Sequence, residues 1–171
     1  MLKVEILKRL EKVRLTRAMK MGYDIEKEHV RKNDKPLYDK GISIILPTYK
    51  GENVIVKCLK SLADQTLDAA LFEVIVVING EKDRTEDLIN QLISERNLTN
   101  IRVITMDEAG ASIARNKGIS LASREYCTFL DDDDYLSENF LEEMYKQAKP
   151  NSVVISQIFN VEPDGNIQSS N

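Results

Sequence analysis

The sequence predicts an α/β fold built on a mostly parallel sheet that is flanked by helices. From residue 41 onward, short apolar runs alternate with helix-length segments, an order that is typical of repeated β-α units. The apolar runs are continuous rather than alternating, as expected for strands that are covered by helices on both faces. Polar and charged residues follow directly after these runs, at the sheet edge where open α/β sheets bind ligands.

The chain divides into a basic N-terminal part and an acidic remainder. Residues 1–40 carry 12 Lys/Arg and 7 Asp/Glu, whereas residues 41–171 carry 12 Lys/Arg and 21 Asp/Glu. We therefore predict a helical extension with a linker over 1–40 and an α/β domain over 41–171. Residues 1–21 combine an apolar stripe with many basic residues, which predicts an amphipathic helix that contacts a membrane surface, a partner protein or its own domain.

Composition narrows the function classes. The apolar share of 42% and the charged share of 30% are typical of a globular domain, and no apolar run approaches the roughly 20 residues of a membrane span. The acidic balance of 41–171 argues against a nucleic-acid partner, which needs a basic surface.

The sequence also bears on cellular location and on the state of the cysteines. Without a secretory leader pattern we expect the cytoplasm, with a peripheral position at the inner face of the membrane if the N-terminal helix binds lipid. Cys58 and Cys127 are interpreted as buried thiols.

The secondary structure follows from the patterning along the α/β domain. Apolar runs predict strands over 42–46, 73–78, 101–106, 125–130 and 152–157, and helices are predicted over about 52–64, 84–97, 111–122 and 137–149. Asp83 with Glu86 three residues later is typical of a capping box, and Ser137 before an acidic first turn is typical of a helix start. Residues 161–166 look like the start of a hairpin.

The first two strands each end in residues that could contact a nucleoside. Pro47 ends the hydrogen-bond ladder of the first strand, and Tyr49 offers a flat face on which a base can stack. Asn79, after the second strand, can donate and accept at once, which suits the imide edge of a pyrimidine. An ordinary strand-to-helix turn and an ordinary Asn-Gly turn would explain the same residues.

The third and fourth strands add charged residues at the same edge. Arg115 lies early in the helix after the third strand, where it can reach a base or a phosphate or else is a solvated helix residue. Residues 131–134 are four consecutive aspartates, whose mutual repulsion a cation would relieve. Asp131 and Asp133 share one side of an extended chain, so both can present oxygens to a divalent ion. A solvated acidic loop before a helix is the alternative.

In this order and spacing, the chain resembles the glycosyltransferase family 2 enzymes of the GT-A fold. The segments that carry the resemblance are 42–49, 58–62 with Gln65-Thr66, 72–77, 114–118 and 129–134. The resemblance implies a Rossmann-like sheet and an inverting sugar transferase. It also implies a nucleotide-activated donor, often a UDP-sugar, together with Mg²⁺ or Mn²⁺. A glycan or lipid-linked acceptor in polysaccharide biosynthesis is implied by the same family.

The resemblance also assigns roles to individual residues. Three residues would line the nucleoside pocket, namely Pro47, Thr48 and Tyr49. Asn79 would meet the base, and Arg115 would contact the base or the diphosphate. Asp131 and Asp132 would contact the substrate, and Asp131 with Asp133 would form the DXD pair that holds the metal.

Two departures from the family pattern affect these expectations. Many members have two acidic residues where this chain has Ile78-Asn79, so the identity of the base stays open. Members also continue well beyond the DXD pair, into the acceptor-side wall and the general base. We therefore expect the α/β domain to be truncated at its C-terminus, with no catalytic base assigned, and to bind donor without robust transfer.

Three other functions would account for part of the same sequence pattern. A sugar-nucleotide-binding module without turnover would need the same residues. A phosphatase of the haloacid dehalogenase type also has an Asp-x-Asp after an apolar strand, but it uses its first strand and has Thr or Val at the position of Tyr135. A nucleotidyltransferase would need a Gly-rich basic phosphate loop after the first strand, which this sequence lacks.

Overall fold

The computed structural model describes residues 38–150, 152–156, 159–161 and 167–169. The amphipathic helix predicted in residues 1–21, with its membrane or partner contact, lies outside these residues. In chain order the helices and strands are β1 (Asp39–Thr48), α1 (Ile55–Ala63), β2 (Phe72–Asn79), α2 (Thr85–Arg96), β3 (Ile101–Met106), α3 (Ala111–Leu121), β4 (Arg124–Phe129), α4 (Phe140–Gln147), β5 (Phe159–Val161) and β6 (Ile167–Ser169).

The first four strands form one parallel sheet in the order β3-β2-β1-β4. The chain moves outward from β1 to β3 and then crosses back to place β4 on the other side of β1. This reversal creates a topological switch point between β1 and β4, where the loops after the two strands diverge and leave a crevice. The observed sheet confirms the predicted α/β fold class.

The core lies on both faces of β1 and β2. On one face, Ile44 and Leu46 pack with Leu59 of α1, together with side chains from α2 and α4. On the other face, Ile75 and Val77 pack against Ala114 of α3. Eight consecutive residues of β1, 41–48, are buried, which is the reason its apolar run has no polar alternation.

Helix α3 approaches the sheet closely because it carries a glycine at the contact. A Cβ atom at Gly118 would lie only 2.4 Å from Cγ2 of the fully buried Ile45. The absence of a side chain therefore lets the helix backbone rest on β1. This contact brings the start of α3, with Arg115, over the carboxyl end of the sheet.

The C-terminal prediction is partly wrong. Residues 152–156, assigned to a strand from their apolar character, have no strand structure. Val153 and Ile155 are 36% and 87% exposed, so these side chains have no sheet face to cover. Strands β5 and β6 form a separate antiparallel pair on either side of residues 162–166, consistent with the predicted hairpin.

Helix starts differ from prediction according to which groups cap them. Helix α2 begins at Thr85 with Arg84 rather than the predicted Asp83 at the N-cap position, although Oδ1 of Asp83 accepts the Thr85 N–H at 2.9 Å. Helix α4 begins at Phe140 rather than Ser137, whose carbonyl instead accepts the Phe140 N–H in a preceding turn. Local sequence therefore located the start of α2 more closely than the start of α4, and it misassigned the N-cap residue of α2.

The remaining chain-wide expectations concern membranes and thiols. No helix in the described ranges is both long and apolar enough to cross a membrane. Cys58 is buried and Cys127 is half-buried, and both are free thiols. Burial raises the pKa of each thiol to about 12, so neither is a thiolate at neutral pH.

Candidate functional site

A cleft of about 250 Å³ opens at the switch point, between the carboxyl ends of β1 and β4 and the start of α3. Its lining contains every site residue predicted from the sequence. These residues are Pro47, Thr48, Tyr49, Asn79, Arg115, Asp131, Asp132 and Asp133, and Ala111 completes the lining. Four loops that are far apart in sequence thus converge because their strands are parallel neighbours.

The aspartate segment is held against β1 by Thr48. The buried hydroxyl of Thr48 donates to Oδ2 of Asp132 at 2.5 Å. A Cβ atom at Gly51 would lie 2.2 Å from the Thr48 hydroxyl oxygen and 2.7 Å from the same Asp132 oxygen. The glycine therefore leaves the space in which this hydrogen bond forms, a role that the sequence analysis missed.

Arg115 reaches the segment from α3. Its Nη2 lies 2.5 Å from Oδ1 of Asp131, and both side chains are partly exposed. Such a pair contributes little to stability because water screens it. Its effect is to place a guanidinium and a carboxylate side by side at the cleft, where either can turn to a ligand.

Negative charge nonetheless exceeds positive charge in the segment. Burial, followed by the charges of Asp133 and Asp131, raises the pKa of the Asp134 carboxyl above its usual value. The Asp133 carboxylate has no hydrogen bond or ion pair to any other described residue. A cation bound in the cleft would relieve this repulsion.

The donor set fits a hard divalent cation that a ligand helps to hold. Across the residues that the structure describes, no three His, Cys, Asp or Glu side chains gather into a complete metal site. Mg²⁺ is commonly held by one or two carboxylates together with substrate phosphates, and Mn²⁺ prefers the same oxygen ligands. Asp131 and Asp133 can supply that number of carboxylates.

Asn79 ties three loops together. It is buried, and its Nδ2 donates to the Thr48 carbonyl while its Oδ1 accepts the Gly110 N–H, both at 2.8 Å. Each amide atom can make one further hydrogen bond. The side chain thus joins the ends of β1 and β2 to the loop before α3, and it also lines the cleft.

Tyr49 forms the outer wall of the cleft and is 47% exposed. Its ring packs on Gly80, where a Cβ atom would lie 2.8 Å from the ring. Lys50 lies with its Nζ 5.4 Å from the ring centre and pairs with Glu81 at 2.5 Å. Local sequence does not predict the Lys50–Glu81 pair, because only the fold brings the two turns together.

Comparison with known proteins agrees with this geometry. The model of glycosyl transferase family 2 matches residues 43–170. Glycosyltransferase GlyG of Streptococcus pneumoniae is 34% identical over 129 residues, which cover 73% of this chain and 42% of GlyG. Poly(ribitol-phosphate) beta-glucosyltransferase of Bacillus spizizenii is 36% identical over 112 residues, 64% of this chain and 17% of that protein.

Solved structures share the fold. Staphylococcus aureus TarS 1–349 in complex with UDP matches with a TM-score of 0.56 and 32% identity, over 60% of this chain and 30% of that chain. Mannosyltransferase PcManGT from Pyrobaculum calidifontis matches with a TM-score of 0.60 but 18% identity, over 86% of this chain and 44% of that chain, which shows the fold alone.

The chain spans less than half the length of each of these relatives. The family model, however, covers most of the chain, and the matched region includes most of β1, all of β2, β3 and β4, and the whole cleft. The chain therefore belongs to glycosyl transferase family 2.

Proposed function

We propose that this domain binds the nucleoside diphosphate of an activated sugar, with Mg²⁺ or Mn²⁺, for inverting transfer of the sugar to a glycan or lipid-linked acceptor. The observation that carries the proposal is the convergence of an aromatic ring, a guanidinium and a row of carboxylates in one cleft. Tyr49, Arg115 and Asp133 supply these groups, which are the parts that a base, a diphosphate and a metal require.

Each side of the nucleotide has a candidate partner. The base would stack on Tyr49 beside Pro47 and Thr48, and the free hydrogen-bonding capacity of Asn79 would meet its edge. Arg115 would turn from Asp131 toward the diphosphate, because a guanidinium can bind phosphate oxygens in pairs.

Each aspartate of the segment would have a different contact with the substrate, the metal or the protein. Asp131 would contact the ribose and share the metal with Asp133, while Asp132 would stay bonded to Thr48 and support the substrate side of the segment. A bound divalent ion would neutralise the diphosphate and stabilise it as a leaving group. The protein's own contribution would be to hold two carboxylates at a fixed separation beside the guanidinium.

Uracil is the base we propose, and polysaccharide assembly in the cytoplasm is the proposed setting. TarS, at 32% identity, has been crystallised with UDP and with UDP-GlcNAc. Two relatives at 31% and 36% identity are named as poly(ribitol-phosphate) glycosyltransferases, and poly(ribitol-phosphate) is a polymer. Competition among UDP, GDP and CDP for the cleft would test the choice of base.

The test of this proposal is calorimetric titration of the 171-residue chain with UDP, with Mn²⁺ or with a chelator. We expect Mn²⁺ to raise UDP affinity about tenfold or more, equivalent to about 1.4 kcal/mol. Asp133→Ala should reduce the affinity in Mn²⁺ to the chelator value, because the carboxylate without a protein partner is then missing. Asp87→Ala, which removes an exposed aspartate on α2, is the matched control. Equal UDP affinity with and without Mn²⁺ in the unmutated chain would refute the proposal.

A further inference from the structure

Residues at the end of α1 and just after it contact the chain that follows the aspartate segment. Nε2 of Gln65 donates to the Ser61 carbonyl at 2.9 Å and to the Ser137 carbonyl at 2.7 Å. Its Oε1 accepts the Leu141 N–H at 2.9 Å. One neutral side chain thus makes three hydrogen bonds, two of them to residues more than 70 positions away.

Neighbouring groups reinforce this contact. The Ser61 hydroxyl accepts the Leu136 N–H at 3.1 Å. The Thr66 N–H donates to the Glu138 carbonyl at 2.8 Å, and its hydroxyl donates to Glu142 at 2.7 Å. We call the contact that Ser61, Gln65 and Thr66 make with residues 136–142 the α1 clamp.

The α1 clamp supplies what the start of α4 lacks. Asn139 precedes the helix, but its side chain makes no capping hydrogen bond. The first amide groups of a helix need an acceptor from outside the helix. Gln65, just after α1, provides that acceptor for the Leu141 N–H, while the Ser137 carbonyl accepts the Phe140 N–H. The position of α4 is therefore set in part by a residue more than 70 positions away.

The aspartates therefore lie between two anchors. Upstream, the Leu130 N–H donates to the Ile45 carbonyl of β1 at 3.1 Å. Downstream, the α1 clamp begins at Leu136. Only five residues, 131–135, separate the anchors, and they include a turn in which the Asp134 N–H donates to the Asp131 carbonyl. A segment this short cannot keep its shape if either anchor moves.

We propose that Gln65 is a positioning residue for the metal-binding carboxylates, an inference that rests on the proposed function. The aspartates repel one another, so an unanchored segment would spread apart. Divalent ions such as Mg²⁺ demand ligand oxygens at narrowly defined distances, and groups behind the ligands supply that order. Gln65 is not part of the cleft lining and acts through the backbone of residues 137 and 141.

The experiment measures how much Mn²⁺ is needed to promote UDP binding. Gln65→Ala removes all three hydrogen bonds, and Gln65→Glu keeps an acceptor for Leu141 but loses both donors. We expect each variant to raise the Mn²⁺ concentration for half-maximal UDP binding about tenfold, within the range for groups behind a metal ligand. UDP affinity in chelator should change less than about twofold, because the nucleoside contacts remain.

Glu73→Gln serves as the control, since it weakens a hydrogen-bond network at the opposite end of the sheet. It should lower the melting temperature without moving the Mn²⁺ midpoint. If Gln65→Ala does not fold, Gln65→Glu carries the test. A Mn²⁺ midpoint in the folded Gln65 variant equal to that of the unmutated chain would overturn the positioning role alone. A lack of any Mn²⁺ effect in the unmutated chain would overturn the proposed function together with this inference.

Discussion

Two clusters of polar side chains lie at opposite ends of the parallel sheet, and each contains carboxylates. At the amino end, Glu73 accepts hydrogen bonds from the Ser43 hydroxyl and from the amide and hydroxyl of Ser123, at 2.7 to 2.8 Å. At the carboxyl end, four aspartates follow one another, and Asp133 has no partner among the described residues. The Glu73 carboxylate thus accepts three hydrogen bonds, whereas the Asp133 carboxylate accepts none from the described residues.

The pKa shifts follow from this difference. Burial would raise the pKa of Glu73, but the hydrogen bonds from Ser43 and Ser123 and the charge of Arg124 outweigh it and lower the pKa. The pKa of Asp134 is raised by burial and by its acidic neighbours. A carboxylate that accepts several hydrogen bonds is stabilised in its charged form, whereas crowded carboxylates with few donors favour the binding of a cation.

The largest expected effect comes from filling the space beside the aspartates at the carboxyl end of the sheet. Gly51→Ala would place a Cβ atom against the Thr48 hydroxyl and Asp132, so their hydrogen bond would break. We expect UDP affinity in Mn²⁺ to fall about 10- to 100-fold, measured by calorimetry. Gly41→Ala is the matched control, because its Cβ would lie 2.0 Å from the Leu71 carbonyl at the other end of the sheet. Equal losses of UDP affinity in both variants would show that the carboxyl end of the sheet has no special role in UDP binding.

A smaller effect is expected from weakening the hydrogen bonds to Glu73 at the amino end of the sheet. Glu73→Gln replaces charge-assisted hydrogen bonds by neutral ones, which are about half as strong. We expect the free energy of unfolding to fall by about 1 to 2 kcal/mol, with UDP affinity unchanged. Urea denaturation and calorimetry on the same samples check both parts. A loss of UDP affinity in this folded variant would show that the two clusters are coupled.

The smallest expected effect is the pH dependence of the stability difference between the unmutated chain and Glu73→Gln. Because folding lowers the pKa of Glu73, the unfolded chain binds the proton more readily, and the carboxylate stabilises the fold above its unfolded pKa of about 4.3. This contribution is lost as the pH falls through the lower folded value. The stability gap between the unmutated chain and Glu73→Gln should therefore shrink below about pH 4. Urea denaturation between about pH 3 and pH 7 should show a constant gap if Glu73 is not the titrating group.

The sheet itself could be predicted because its signals are local. Continuous apolar runs such as 42–46 and 73–78 became the two central strands, and the order of β-α units implied that they are parallel. Since the carboxyl ends of parallel strands share one edge, Tyr49, Arg115 and Asp131 could be assigned to one site before any coordinates were known. Their roles in binding stay predictions.

The errors share one cause. Residues 152–156 have the apolar content of a strand, yet a strand needs a neighbouring edge to pair with, and none of them has strand structure. Ser137 has the local features of a helix start, yet α4 begins at Phe140. In both cases the outcome depends on tertiary contacts, which the local sequence does not encode.

The sequence alone determined which residues form the central strands and which polar groups follow them, because hydrophobic periodicity acts over a few neighbouring residues. The tertiary structure decided how those groups are held. Hydrogen bonds join Gln65 to Leu141 across 76 positions and Thr48 to Asp132 across 84 positions. Another joins Asn79 to Gly110 across 31 positions. A hydrogen bond depends on distances of about 3 Å between atoms, and only packing of the helices on the sheet brings such distant residues that close.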